Sequence, residues 1–133
     1  MVHAYWFEDH KKLSQRVQYI HSSMEKRGDV LCSTLFVLGE LLVGPLRTGD
    51  VTAAGLIEQY FRSPAVTMLS FTPRAARLFA ELRAHQGLKS VDALHLATSA
   101  AAGVDIFLTN DHRLQKIVVP GISFIAAIDA PLF

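Results

Sequence analysis

The stretch "GLKSVDALHLATSAAAGVDIFLTNDHRL", residues 87–114, contains a predicted helix with Asp92 near its start and a predicted strand that Asp111 follows. Ser90 is predicted to cap a helix that runs to Gly103, because serine satisfies free N–H groups at helix starts and glycine commonly ends helices. The apolar run after Gly103 predicts a strand that leads Thr109 and Asp111 into a loop.

The rest of the chain repeats this alternation of helix and strand. Short apolar segments such as "DVLCS", "AVTMLSF" and "GISFIAAI" are separated by longer segments with helical periodicity. This order predicts an α/β fold in which helices cover both faces of a parallel sheet. In open sheets of this kind, ligand sites lie outside the carboxyl ends of the strands.

Composition limits the class of protein. The 133 residues are half hydrophobic and only 19% charged, which favours a single compact domain over a disordered chain. The formal charge of +1 neither requires nor excludes a nucleic-acid partner. Cys32 has no cysteine partner and is expected to be a small core residue in a reducing compartment. No leader or membrane-spanning run is recognised, so a cytoplasmic location is expected.

Three acids lie in apolar surroundings. Glu40 is in the helical run "TLFVLGELLVGPL", where it either turns toward water or serves a site that needs its charge. Asp92 also suits the first turn of a helix on electrostatic grounds alone, and Asp111 also suits a turn. Carboxylates gathered at one sheet edge repel each other unless a cation is present, so Mg²⁺ or Mn²⁺ is the expected cofactor. The sequence has no cysteine cluster and no histidine pair at zinc spacing.

The segments "STLFVLGELLVGPLRTGD" and "GLKSVDALHLATSAAAGVDIFLTNDHRL", with the closing strand, resemble the PIN domain, notably the VapC toxins of bacterial toxin–antitoxin pairs. This resemblance implies an α/β/α sandwich with acids around Mg²⁺ or Mn²⁺. It also implies a catalytic set of five residues. Three of them would bind the metal: Glu40, Asp92 and Asp111. Thr109 and Asn110 would support Asp111.

The resemblance further implies an activity and partners. The metal would activate water for attack on an RNA phosphodiester, leaving 5′-phosphate and 3′-hydroxyl ends, and a VapB-like antitoxin would neutralise the toxin. A homodimer formed through helices is expected. Four basic residues are candidates for phosphate contacts, although each is equally compatible with a solvated surface: Arg47, Lys89, Arg113 and Lys116.

The N-terminus departs from the family pattern. PIN domains open with a strand that ends in an aspartate, whereas "MVHAYWFEDH" resembles the segment that follows this aspartate. The sequence therefore predicts one PIN-like domain over residues 1–133 that lacks its first strand and first aspartate. Either the true start lies upstream, or the chain is a truncated descendant with weakened metal binding.

The sequence is also compatible with other functions. A catalytically impaired PIN scaffold would bind RNA or an antitoxin without hydrolysis. A phosphoryl-transfer or receiver-like enzyme would use Asp111 as its nucleophile, but no convincing lysine partner is found. His95, three residues after Asp92, is expected to be a core or subunit-contact residue rather than a ligand.

Overall fold

Five parallel strands form one sheet in the order β3-β2-β1-β4-β5. The computed structural model describes residues 3–6, 14–109 and 111–127. The strands are β1 (His3–Trp6), β2 (Val30–Ser33), β3 (Val66–Met68), β4 (Ile106–Thr109) and β5 (Phe124–Ala127). The helices are α1 (Ser14–Arg27), α2 (Leu35–Thr48), α3 (Val51–Arg62), α4 (Pro73–Gln86) and α5 (Ser90–Ala101), and a short 3₁₀ turn follows at Leu114–Lys116. The predicted α/β class with a parallel sheet is confirmed.

The centre of the sheet is occupied by β1, so the expectation of a missing central strand is wrong. His3 pairs with Val30 of β2, and Ala4 pairs with Ile106 of β4. The physical reason is the ladder itself: without β1, the facing N–H and C=O groups of β2 and β4 would have no partners. Residues 7–13, which follow β1 and include Glu8 and Asp9, lie outside the described residues.

The core is built around α5 and β4. All four residues of β4 are buried, as is every residue of α5 from His95 to Ala100. The side chains of Phe107 and Leu96 are completely buried. Cys32 on β2 is 1% exposed, which confirms its prediction as a core residue, and burial raises the pKa of its thiol to about 11.

Side-chain caps fix where two of the long helices begin. Thr34 accepts a hydrogen bond from the backbone N–H of Val37 at the start of α2, and Thr72 does the same for α4. Ser90, in contrast, is the first helical residue of α5 and not its cap. Lys89 occupies the cap position without a side-chain hydrogen bond, and Asp92 supplies a negative charge in the first turn. In the described part of the chain, no helix is both long enough and apolar enough for a transmembrane segment.

Gly121 is the glycine whose replacement should disturb the fold most. Its φ is +101°, and an added Cβ would lie 2.6 Å from the carbonyl oxygen of Ala100 in α5. We expect Gly121→Ala to lower the free energy of unfolding by about 2 kcal/mol or more, because the clash is with backbone. Urea unfolding followed by circular dichroism measures this loss.

The matched control is Gly39→Ala in α2, where an added Cβ meets no atom within 4 Å. This variant should raise the free energy of unfolding by about 0.5–1 kcal/mol, because alanine is the better helix former. Equal stability of the Gly121→Ala variant and the wild type would contradict the packing described here.

Candidate active site

The elements that carry the predicted acids converge on the carboxyl edge of the sheet. The chain passes from β2 through Thr34 directly into α2, which carries Glu40. The chain passes from β4 into the loop that carries Asp111. Helix α5 leads into β4 through a short turn at the opposite edge, so its N-terminal turn, with Asp92, returns to the carboxyl edge.

Glu40 is paired with a histidine. Its carboxylate is 44% exposed, and its Oε1 lies 3.2 Å from Nε2 of His95, which is 1% exposed. Burial lowers the pKa of His95 to about 4, and desolvation raises the pKa of Glu40. At neutral pH the imidazole is therefore uncharged, and its Nε2–H donates to the Glu40 carboxylate. The apolar run around Glu40 thus does not bury it: the carboxylate is open to water on one side.

Asp111 is held from both directions along the chain. The Arg113 guanidinium donates from Nε to Oδ1 at 3.1 Å and from Nη2 to Oδ2 at 2.7 Å, and the Arg113 backbone N–H also reaches Oδ1. These bonds lower the pKa of Asp111. The fully buried Thr109 accepts a hydrogen bond from the Asp111 backbone N–H at 3.0 Å. The carboxylate is thereby kept ionised and fixed in direction.

The charges at the start of α5 act on the Asp111–Arg113 pair. Hydrogen bonding to Asp111 is the main cause that raises the pKa of Arg113, followed by the charge of Asp111 and, more weakly, the charge of Asp92. The charge of Lys89 also contributes to the low pKa of Asp111. Asp92 and Lys89 therefore influence the loop that carries Asp111 through their charge.

The donor set fits a magnesium-type cation in part. In residues 3–6, 14–109 and 111–127, no three His, Cys, Asp or Glu side chains lie close enough together to hold a metal ion. Asp111 is paired with Arg113 and Glu40 with His95, while Asp92 lies in the first turn of α5. Mg²⁺ often uses only one or two carboxylates, completing its shell with water and substrate phosphate. Asp92 and Asp111 match that requirement, whereas Asn110 lies outside the described residues.

Two interactions were not predicted from the sequence. The Glu40–His95 hydrogen bond joins residues 55 positions apart on different helices, and no local pattern indicates it. The burial of His95, which is 1% exposed, does confirm the prediction that it is a core residue. Arg113 was considered only as a phosphate contact, although its position two residues after Asp111 is the sequence signal for a local ion pair.

One family model matches most of this chain. The model of the PIN domain matches residues 2–119 of this chain. No curated protein matches. Among solved structures, the chain is similar to one from the crystal structure of VapBC2 from Rickettsia felis bound to a DNA fragment from their promoter. The TM-score is 0.66 and the identity 16%, over 96% of this chain and 98% of that one, so this likeness concerns the fold.

The neutral His95 should make the metal-free protein sensitive to acid. The pKa of its imidazole falls from 6.5 to about 4 on burial, so the unfolded state binds a proton that the folded state does not. The stability that depends on the neutral His95 is fully present above about pH 6.5 and is lost as the pH falls toward 4. The expected loss is on the order of 2–3 kcal/mol of unfolding free energy.

Urea unfolding in EDTA at several pH values between 7.5 and 4.5 measures this loss. His95→Gln is the comparison, because it keeps an N–H donor for Glu40 but does not titrate. The variant should lose less stability on acidification than the wild type. Parallel pH profiles for the two proteins would show that His95 is not the titrating group.

Proposed function

The chain belongs to the PIN-domain family, and from this premise we propose that it is a divalent-metal-dependent endoribonuclease toxin of the VapC type. PIN domains are typically nucleases, and the carboxyl edge of the sheet is where such a site would lie. The observation that carries the proposal is that the first turn of α5, with Asp92, and the loop after β4, with Asp111, lie at the same carboxyl edge of the sheet. Two carboxylates at one sheet edge are suited to a shared cation.

Mg²⁺ or Mn²⁺, when bound, would activate water and polarise the phosphodiester. Asp92 and Asp111 would hold the ion, and Thr109 would keep the Asp111 loop in place through its hydrogen bond to the backbone. Arg113 would leave Asp111 for a phosphate oxygen, since a guanidinium forms paired hydrogen bonds with either anion. Glu40, oriented by His95 and open to water, would accept a hydrogen bond from water or from the RNA. Asn110 is retained in this site by resemblance.

An antitoxin and a second copy of the chain complete the proposal. The similar solved structure is a VapBC complex, which supports a VapB-like antitoxin as a partner. Large apolar side chains on α2 and α3 are exposed and would be covered by an antitoxin or in a homodimer: Val43, Leu46, Val51 and Leu56. A cytoplasmic location is part of the same proposal, and the single buried thiol supports it.

A second candidate is a PIN scaffold that binds RNA or antitoxin without hydrolysis. It is favoured by the internal pairing of the acids: Glu40 with His95, and Asp111 with Arg113. Within the described ranges, the acids do not form a group of three around one point. A protein in which these pairs are permanent would have no metal-dependent chemistry.

Cleavage of RNA separates these two candidates. We expect the wild type to cut a structured RNA with Mg²⁺ or Mn²⁺ and not with EDTA. Asp111→Asn and Asp92→Asn should each lower the rate by about 100-fold or more, because each removes a metal-binding charge.

The control is Glu81→Gln on α4, a carboxylate that also pairs with an arginine, Arg77, on the surface. It should cut at the wild-type rate. Cleavage that survives in Asp111→Asn would indicate a contaminating nuclease and reject the assignment. No metal-dependent cleavage by the wild type would favour the scaffold.

Arg113 should compete with the metal ion. Because its guanidinium occupies both oxygens of Asp111, Arg113→Ala should bind Mn²⁺ severalfold more tightly than the wild type in the absence of RNA. Titration of Mn²⁺ followed by electron paramagnetic resonance measures the affinity without reference to catalysis. Arg77→Ala, which removes another exposed arginine from its pair with Glu81, should leave the Mn²⁺ affinity unchanged. Unchanged or weaker Mn²⁺ binding by Arg113→Ala would contradict the competition.

A further inference from the structure

A cavity of about 250 Å³ opens at the carboxyl edge of the sheet, between the start of α2, the loop from β3 to α4, and α5. Its wall combines aromatic rings and hydroxyl groups. The lining residues that matter here are Thr34, Phe36, Ser70, Phe71, His95 and Thr98. The function proposed above does not use this cavity, although His95 belongs to it.

Two phenylalanine rings stand on the wall with about half of their surface exposed. Phe36 is 45% exposed and Phe71 is 50% exposed. Each ring has an edge-to-face partner: Phe36 contacts His95 with centroids 5.5 Å apart, and Phe71 contacts Phe79 at 6.1 Å. Rings that are fixed before a ligand arrives lose little conformational freedom when a second flat group stacks on them.

The polar part of the wall suits a ligand with a hydrogen-bonding edge. The hydroxyl of Thr98 donates to the Leu94 carbonyl oxygen at 2.7 Å, which leaves its oxygen able to accept. Ser70 is exposed and adds a hydroxyl that can donate or accept. A nucleobase offers a flat face for the rings and a polar edge for these hydroxyl groups, whereas a purely apolar side chain would use only the rings.

Two helices begin beside the cavity. Thr34, at the N-terminus of α2, lines it, and Phe71 precedes Thr72 at the N-terminus of α4. The partial positive charge of helix N-termini suits the phosphates on either side of a base.

The cavity is joined to the candidate acids by single helical turns. Glu40 follows Phe36 by four residues on α2, and Asp92 precedes His95 by three residues on α5. His95 forms part of the wall and donates to Glu40. A nucleotide in the cavity would therefore lie within about one helical turn of Glu40 and of Asp92.

We propose that this cavity binds one unstacked base of single-stranded RNA, next to the phosphodiester at the candidate active site, by stacking on Phe71 and Phe36. The choice of RNA as the ligand rests on the proposed function. Base binding and hydrolysis are separate steps, however, and they can be tested separately.

The experiment measures binding of a fluorescein-labelled 12-nucleotide single-stranded RNA by anisotropy, in EDTA, so that cleavage plays no part. Phe71→Ala should raise Kd about ten-fold or more, because stacking on one aromatic side chain supplies a large share of single-strand affinity. Phe71→Leu, which keeps apolar contact with Phe79 but lacks a ring, should bind nearly as weakly. Phe124→Ala on β5, which removes a phenylalanine that is 63% exposed, should bind like the wild type.

Thermal unfolding of each variant shows whether a loss of binding reflects a loss of folding, and Phe71→Leu preserves the test if Phe71→Ala does not fold. Equal Kd values for Phe71→Leu, Phe124→Ala and the wild type would overturn the inference, as would no RNA binding by the wild type. A change in self-association of Phe71→Leu with unchanged RNA binding would assign the cavity to a protein partner and also overturn it. If RNA binding depends on Phe71 but no metal-dependent cleavage occurs, the base site is supported and the proposed hydrolysis is rejected. If cleavage occurs but RNA binding does not depend on Phe71, the hydrolysis is supported and the base site is rejected.

Discussion

The pairing of β1 with both of its neighbours is the interaction on which the rest of the structure depends. Only four residues long, β1 joins the β2–β3 half of the sheet to the β4–β5 half. Because all the strands are parallel, the register of β1 with its two neighbours also means that β2 and β4 end at the same edge of the sheet. The helix that carries Glu40 and the loop that carries Asp111 are brought to one side of the molecule for this reason.

Electrostatics at that edge are balanced from within the chain. Asp111 is matched by a guanidinium, and Glu40 by an uncharged imidazole that donates one hydrogen bond. The two arrangements differ in strength: a full positive charge keeps Asp111 ionised, while the neutral donor does not offset the desolvation that raises the pKa of Glu40. A cation that binds Asp111 must therefore displace the charged Arg113 side chain. A cation that binds Glu40 would compete only with the hydrogen bond from His95.

Local sequence patterns predicted most of the fold. They did not predict the features that depend on contacts between residues far apart in the sequence. Alternating apolar and amphipathic segments indicated the parallel α/β architecture. The strand His3–Trp6 was missed because "MVHAYWFEDH" resembles the segment that follows the first aspartate of the family, whereas pairing with β2 and β4 makes residues 3–6 a strand. The partner of Glu40 was missed because the packing of α2 against α5, rather than sequence spacing, brings His95 within reach.

The composition of α5 has a consequence for how such a protein can change over time. The same helix carries Asp92 in its first turn, His95 beside Glu40, and an unbroken buried run through Ala100. Its inner face is made largely of small residues, against which Gly121 packs with no room for a methyl group. A substitution in this helix that alters the candidate site must also be accepted by the core, so few substitutions are open to it. The loop that carries Ser70 and Phe71 is exposed, and packing restricts substitutions there less.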